Sequence, residues 1–102
     1  THNLKQAQIA EANGADYIGV GPIYNTDSKS NLDPLIGIKE GSRIASSVKC
    51  KTVAIGGINA TNIKDFRNTN FNAFCVLGAV NNSNKPKQVI KKLQEEWEDV
   101  KV

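Results

Sequence analysis

Two hydroxyls and one ammonium, on Thr26, Ser28 and Lys29, carry the first chemistry legible in this chain. They sit on the polar tip Asn25-Thr26-Asp27-Ser28-Lys29, directly after the run Tyr17-Ile18-Gly19-Val20-Gly21-Pro22. Hydroxyls donate hydrogen bonds and an ammonium supplies a compact charge, so the tip suits a phosphate or diphosphate. The same residues also suit a plainer role. An exposed lysine is usually solvated, and loop hydroxyls often only shape a turn. Two later segments, Ala54-Ile55-Gly56-Gly57-Ile58 and Val76-Leu77-Gly78-Ala79-Val80, repeat the plan of an apolar strand with glycine at its exit. Strands that each leave through a glycine-bearing turn predict one shared ligand surface.

The elements that must position these residues follow in order. Asn3 is placed to cap a helix from Leu4 to about Asn13, with Leu4, Ala7 and Ala10 at helical spacing and Ile9 beside them. Asn13-Gly14 is its stop. The first strand runs from Tyr17 to Val20, and Pro22, with no N–H, ends its ladder. A polar loop spans about 24 to 35. A second helix runs from Ile36 or Ile38 to Val48, burying Ile38, Gly41, Ile44, Ala45 and Val48. The second strand is Thr52 to Ile55. Asn59 caps a short helix with Ile63 and Phe66 inward, broken at Asn68-Thr69-Asn70. The third strand is Ala73 to Leu77, followed by a turn at Asn81-Asn82-Ser83-Asn84. Pro86 opens a last helix with Val89, Ile90, Leu93, Trp97 and Val100 as its apolar stripe.

The order α-β-α-β-α-β-α, with short apolar strands, predicts a parallel sheet covered on both faces and right-handed crossovers. A doubly wound sheet and part of a (β/α)8 barrel both fit. Either places the ligand at the carboxyl ends of the strands. Barrels often bind phosphate on the loops of their last two strands, where Gly56-Gly57 and Gly78-Ala79 stand in this order. A whole barrel takes about 250 residues, against 102 here, and the chain opens at Thr1-His2-Asn3 directly against a helix. The expectation is a single C-terminal piece, residues 1–102, of a longer protein whose other strands lie upstream.

Composition excludes several classes. A formal net charge of +3 with dispersed lysines forms no basic stripe, so nucleic acid is not an expected partner. No apolar run is long enough to span a membrane. Cys50 and Cys75 match no zinc or redox spacing, and the expectation is buried thiols in a cytoplasmic protein.

The segments Thr1-His2, Gly14-Ala15-Asp16-Tyr17-Ile18-Gly19-Val20-Gly21-Pro22-Ile23-Tyr24, Thr26-x-Ser28-Lys29 and Ala54-Ile55-Gly56-Gly57-Ile58-Asn59 together resemble the C-terminal half of the thiamine-phosphate synthase family, also called thiamine phosphate pyrophosphorylases. The Gly14-to-Ile23 run is highly specific; Ile-Gly-Gly-Ile alone occurs in many phosphate-binding barrels. The resemblance implies a (β/α)8 barrel and a Mg2+-dependent transferase of thiamine biosynthesis. That enzyme joins a hydroxymethylpyrimidine diphosphate to a thiazole phosphate and releases pyrophosphate. It implies a dissociative course, in which diphosphate leaves, a pyrimidine methyl cation forms and the thiazole nitrogen attacks. By the same resemblance, Thr26 and Ser28 contact the thiazole phosphate. Lys29 contacts the pyrimidine diphosphate and is the catalytic residue. The main-chain N–H of Gly57 holds the thiazole phosphate, with Leu77 and Gly78 completing the cup. Ser28 stands where the family usually has threonine, and Gly78 where it usually has serine, so one hydroxyl is kept and one lost. The pyrimidine-binding residues and the Mg2+ ligands belong to the absent N-terminal half. A homo-oligomer is compatible with the resemblance.

Other residues carry less. His2 invites a general-base role, but the implied chemistry needs no strong protein base, and a strand-end residue that orders the neighbouring loop is the plainer reading. Asp16 suits local backbone bonding. Asp27 and Asp33 are loop carboxylates, and Trp97 is an apolar helix anchor. A related thiazole tautomerase would favour histidine near Gly21-Pro22. A non-catalytic phosphate-binding module remains the reading from a different class.

Overall fold

The computed structural model describes residues 2–24, 35–76 and 84–101. Helix α1 is Leu4–Ala12 and begins as the sequence predicts. Asn3 Oδ1 accepts from Gln6 N–H at 2.8 Å, and Gln6 Oε1 accepts from His2 N–H at 2.7 Å. The first bond satisfies an N–H group that a helix start leaves without a partner, and the second ties the preceding residue onto the first turn. Gly14, at φ 91°, ends the helix in the left-handed region that glycine enters without strain. Ala7 is fully buried, while Ile9, two residues on and about 200° further round the helix, is exposed.

Strand β1 is Tyr17–Val20, helix α2 is Gly37–Ser46 and strand β2 is Lys51–Ile55. A single 3-10 turn at Ile63–Phe66 replaces the expected third helix. Strand β3 is Ala73–Cys75, and helix α3 is Pro86–Lys101. The three strands are parallel in the order β1-β2-β3, with Gly19 opposite Val53 and Ile55 opposite Cys75. In α2, Gly41, Ile44 and Ala45 are buried and Ile38 is only half-buried; the helix ends at Ser46, short of the expected Val48, which is half-buried beyond it. In α3, Leu93 and Val100 are buried and Ile90 is exposed.

Coverage of the sheet departs from expectation. Burial alternates along the strands. Ile18, Val20, Thr52 and Ala54 are buried, whereas Tyr17, Lys51 and Ile55 on the other face are exposed. Successive right-handed crossovers in one direction put their helices on one side. Among the described residues only that side is covered. The same geometry corrects the cysteines: Cys50 is part-buried, but Cys75 is exposed, because it shares the uncovered face with Ile55. A doubly wound sheet would have helices on both faces.

Phe66 is the centre of the covered side. It is fully buried, with Phe71 at 5.5 Å, Trp97 at 5.6 Å and Tyr24 at 6.3 Å between ring centroids. Trp97 also packs on Phe74 at 4.9 Å, which makes it the expected helix anchor. No helix among the described residues is long and apolar enough to cross a membrane.

The amino ends of the strands are tied by Glu11. Its Oε2 accepts from Lys49 N–H, and from Cys50 N–H at 2.7 Å. The Cys50 N–H foremost holds this carboxyl below the usual carboxylate range, against the opposing effect of partial desolvation. A depressed pKa stabilises the fold above the ordinary glutamate value, and that stability is lost as pH falls through the lowered one. Glu11→Ala is therefore expected to lower Tm at neutral pH. The gap to wild type should close as pH falls below about 4. Thermal melts across that range check it.

Candidate functional site

At the carboxyl ends of the strands, the two exits are bonded to each other. The β1–β2 ladder ends at Val20, ahead of Pro22 as expected, and two backbone bonds join the exits beyond it. Ile23 N–H donates to Ile55 O at 2.9 Å, and Tyr24 N–H donates to Gly56 O at 3.0 Å. Pro22 only skips one donor, and the backbone then resumes pairing. The close approach requires glycine: a Cβ on Gly56 would lie 2.8 Å from Pro22 Cα and 2.9 Å from Ile23 N. Gly56 and Gly57 also hold φ values of 110° and 65°, which L side chains rarely adopt.

Gly57 thus lies in the turn after β2, as expected. A network of two asparagines braces this turn. Asn59 Oδ1 accepts from Thr61 N–H at 2.9 Å and from Asn62 N–H at 3.1 Å. Asn62 Oδ1 accepts from Asn59 N–H at 2.8 Å, and Asn62 Nδ2 donates to Gly57 O at 3.0 Å. The expected capping by Asn59 is present, though what it caps is the turn leading into the 3-10 segment.

Two further contacts order the mouth. His2 Nδ1 donates to Gly21 O at 2.8 Å, the loop-ordering role that the sequence suggested. Tyr24 Oη donates to Asp65 Oδ2 at 2.9 Å. Burial first, then the Asp65 carboxylate, pushes the Tyr24 phenol well above its usual range. Tyr24 and Asp65 lie 41 positions apart; Tyr24 stood in the family-like run with no role assigned, and Asp65 was not marked in the sequence. Asn62 went unread as well, although its spacing from Gly57 and Asn59 was a usable signal.

Thr26, Ser28, Lys29, Leu77 and Gly78 lie outside the described residues, as do Asp27 and Asp33. Their stems do not: Tyr24 leads toward the first group and Val76 toward the second. Among the described residues, no group of three or more His, Cys, Asp or Glu side chains could hold a metal ion.

The glycine-bearing exits of β1 and β2 thus lie bonded side by side at one end of a parallel sheet. Comparison with known proteins gives that arrangement a family. The model for thiamine monophosphate synthase matches residues 1–80. The chain belongs to the thiamine monophosphate synthase family. Within it, the chain is 46% identical over 78 residues to a thiamine-phosphate synthase from Clostridium botulinum, covering 76% of this chain and 38% of that one. It is 33% identical over 95 residues to one from Desulfitobacterium hafniense, covering 93% and 46%. A solved thiamine phosphate pyrophosphorylase from Pyrococcus furiosus superposes with a TM-score of 0.86 at 33% identity, covering 98% of this chain and 47% of that one. The chain thus spans under half the length of these family relatives, and the parallel α/β architecture is theirs.

The Tyr24–Asp65 bond has a testable pH signature. Because the folded pKa is raised, its stabilisation is present below the ordinary tyrosine value and is lost as pH rises through the folded one. Tyr24→Phe is expected to cost about 0.5–1 kcal/mol at neutral pH, the scale of one hydrogen bond. The difference should shrink above about pH 10. Denaturant melts of both forms at neutral and alkaline pH measure it.

Proposed function

We propose that this chain forms the C-terminal half of a (β/α)8 barrel that works as a thiamine-phosphate synthase in the cytoplasm. The observation that carries the reading is the family match over residues 1–80, which takes in both the tip after β1 and the Gly56-Gly57 turn. The open sheet supports it. Among the described residues, Tyr17, Ile55 and Cys75 are exposed on one face, and each outer strand has a single partner. Unpaired edges and an uncovered apolar face are costly features that a barrel removes by closing.

In this reading the substrates are a hydroxymethylpyrimidine diphosphate and a thiazole phosphate. The C–O bond to the diphosphate breaks, the pyrimidine methyl carbon becomes cationic, and the thiazole nitrogen donates its lone pair to that carbon. Pyrophosphate leaves with the bonding pair. Thr26 and Ser28 hold the thiazole phosphate with their hydroxyls, joined by the N–H of Gly57 and backbone donors at Leu77 and Gly78. Lys29 faces the departing diphosphate. A cation beside the bridging oxygen helps the transition state more than the ground state, because bond breaking concentrates charge there. The bracing around Gly57 supports the division of labour: a fixed cup holds one substrate in line with the other. Mg2+ would neutralise leaving-group charge, and its ligands are assigned to the remaining half of the barrel.

The test is made on the complete enzyme. Supplied with both substrates and Mg2+, it should release pyrophosphate and form thiamine phosphate; no product would end the reading. Lys29→Ala should lower kcat by about 10²-fold or more, the scale of losing one preorganised donor. The Kd for thiazole phosphate should barely change. Single-turnover kinetics decide: a chemical step as fast as wild type would remove Lys29 from the reaction.

A further inference from the structure

Each peptide group is planar and trans, so gripping its carbonyl also aims the N–H on its other side. Both peptides of the glycine turn are gripped in this way. Gly56 O accepts from Tyr24 N–H at 3.0 Å, which sets the direction of the Gly57 N–H. Gly57 O accepts from Asn62 Nδ2 at 3.0 Å, which sets the direction of the Ile58 N–H. Neither N–H has a hydrogen-bond partner among the described residues. The first grip is backbone on backbone and needs no particular side chain. The second depends on one amide. Asn62 uses both of its ends, with Oδ1 on Asn59 N–H at 2.8 Å and Nδ2 on Gly57 O. Its own N–H is held by Asn59 Oδ1 at 3.1 Å. A residue anchored at three points, two of them on its side-chain amide, has little freedom, and a turn of two glycines has much to lose.

We propose that Asn62 is a positioning residue for phosphate binding: its amide fixes the Gly57–Ile58 peptide so that the Gly57 and Ile58 N–H groups point together at the thiazole phosphate. This rests on the function proposed above and adds two things to it, a second backbone donor and the side chain that aims it. Asn62 touches no reacting atom. It acts by sparing the turn the ordering that the anion would otherwise have to impose.

Two substitutions isolate the aiming bond. Asn62→Asp keeps the oxygen that accepts from Asn59 N–H but loses the donor to Gly57 O. Asn62→Ala loses both and adds no charge. The shared loss is the donor alone. In the complete enzyme, both variants should raise KM for thiazole phosphate by about tenfold, the scale of one hydrogen bond. Both should weaken binding of inorganic phosphate, read by calorimetry, by a similar factor. KM for the pyrimidine diphosphate should stay within about twofold, a split that general loosening of the fold would not produce.

A loss in the aspartate form alone is charge repulsion, and a loss in the alanine form alone is lost capping; either result overturns the proposal. Failure of both variants to fold would assign Asn62 to the fold only and overturn it too. Gly57→Val separates this idea from the one beneath it. If Gly57→Val leaves thiazole phosphate KM unchanged, the phosphate cup itself is misplaced and the proposal falls with it. If Gly57→Val raises KM while the Asn62 variants match wild type, the cup stands and only the role of Asn62 is lost.

Discussion

Two backbone hydrogen bonds beyond the ends of β1 and β2, from Ile23 to Ile55 and from Tyr24 to Gly56, hold the mouth of this protein in register. They demand that two chains pass where no β-carbon can stand, which is why Gly56 occupies its position. Tyr24 is the residue they fix. Its ring meets Phe66 edge-on, and its hydroxyl reaches Asp65. Phe66 in turn packs on Phe71 and on Trp97 of α3. The exit of the first strand is thereby coupled, through one aromatic cluster, to the last helix. A disturbance at Gly56 would reach Tyr24 and the aromatic core together.

The two ends of the sheet are built from different materials. At the amino ends, one carboxylate, Glu11, binds the two N–H groups that lead into β2. That clamp serves stability. At the carboxyl ends, asparagines, a histidine and a tyrosine brace glycine-bearing turns. There the braced groups are the peptides of the turns themselves, with Gly57 O and Gly21 O each held by a side chain. Parallel α/β folds bind ligands at the carboxyl ends of their strands because the loops there are free of the strand ladder. The division of labour in this chain follows that rule.

Much of the fold and part of the candidate site were legible in the residues themselves. The cap at Asn3, the stop at Gly14, the strand Tyr17–Val20 and the turn at Gly56-Gly57 each stand where expected. The third helix was overread: Ile63 and Phe66 are both inward, as their spacing implied, but Asn68 at φ 67° leaves room for only a 3-10 turn. The strands were overread in another way, because apolar residues on both faces do not say which face a helix will cover. The partners Tyr24 and Asp65, and Glu11 with Lys49 and Cys50, were not legible at all.

What the sequence by itself determined is local. Capping, helix periodicity and the left-handed glycines act within about one turn of chain, so they can be read from neighbours. The family resemblance was local as well, carried by contiguous runs such as Gly14 to Ile23. What only the tertiary structure decided is which distant groups meet: the tyrosine across from its carboxylate, the sheet face left uncovered, the backbone resuming its pairing past Pro22. The physical reason is that each of these depends on crossover connections folding back through their full length. Whether two groups separated by 41 residues come within 2.9 Å is set by the packing of everything between them.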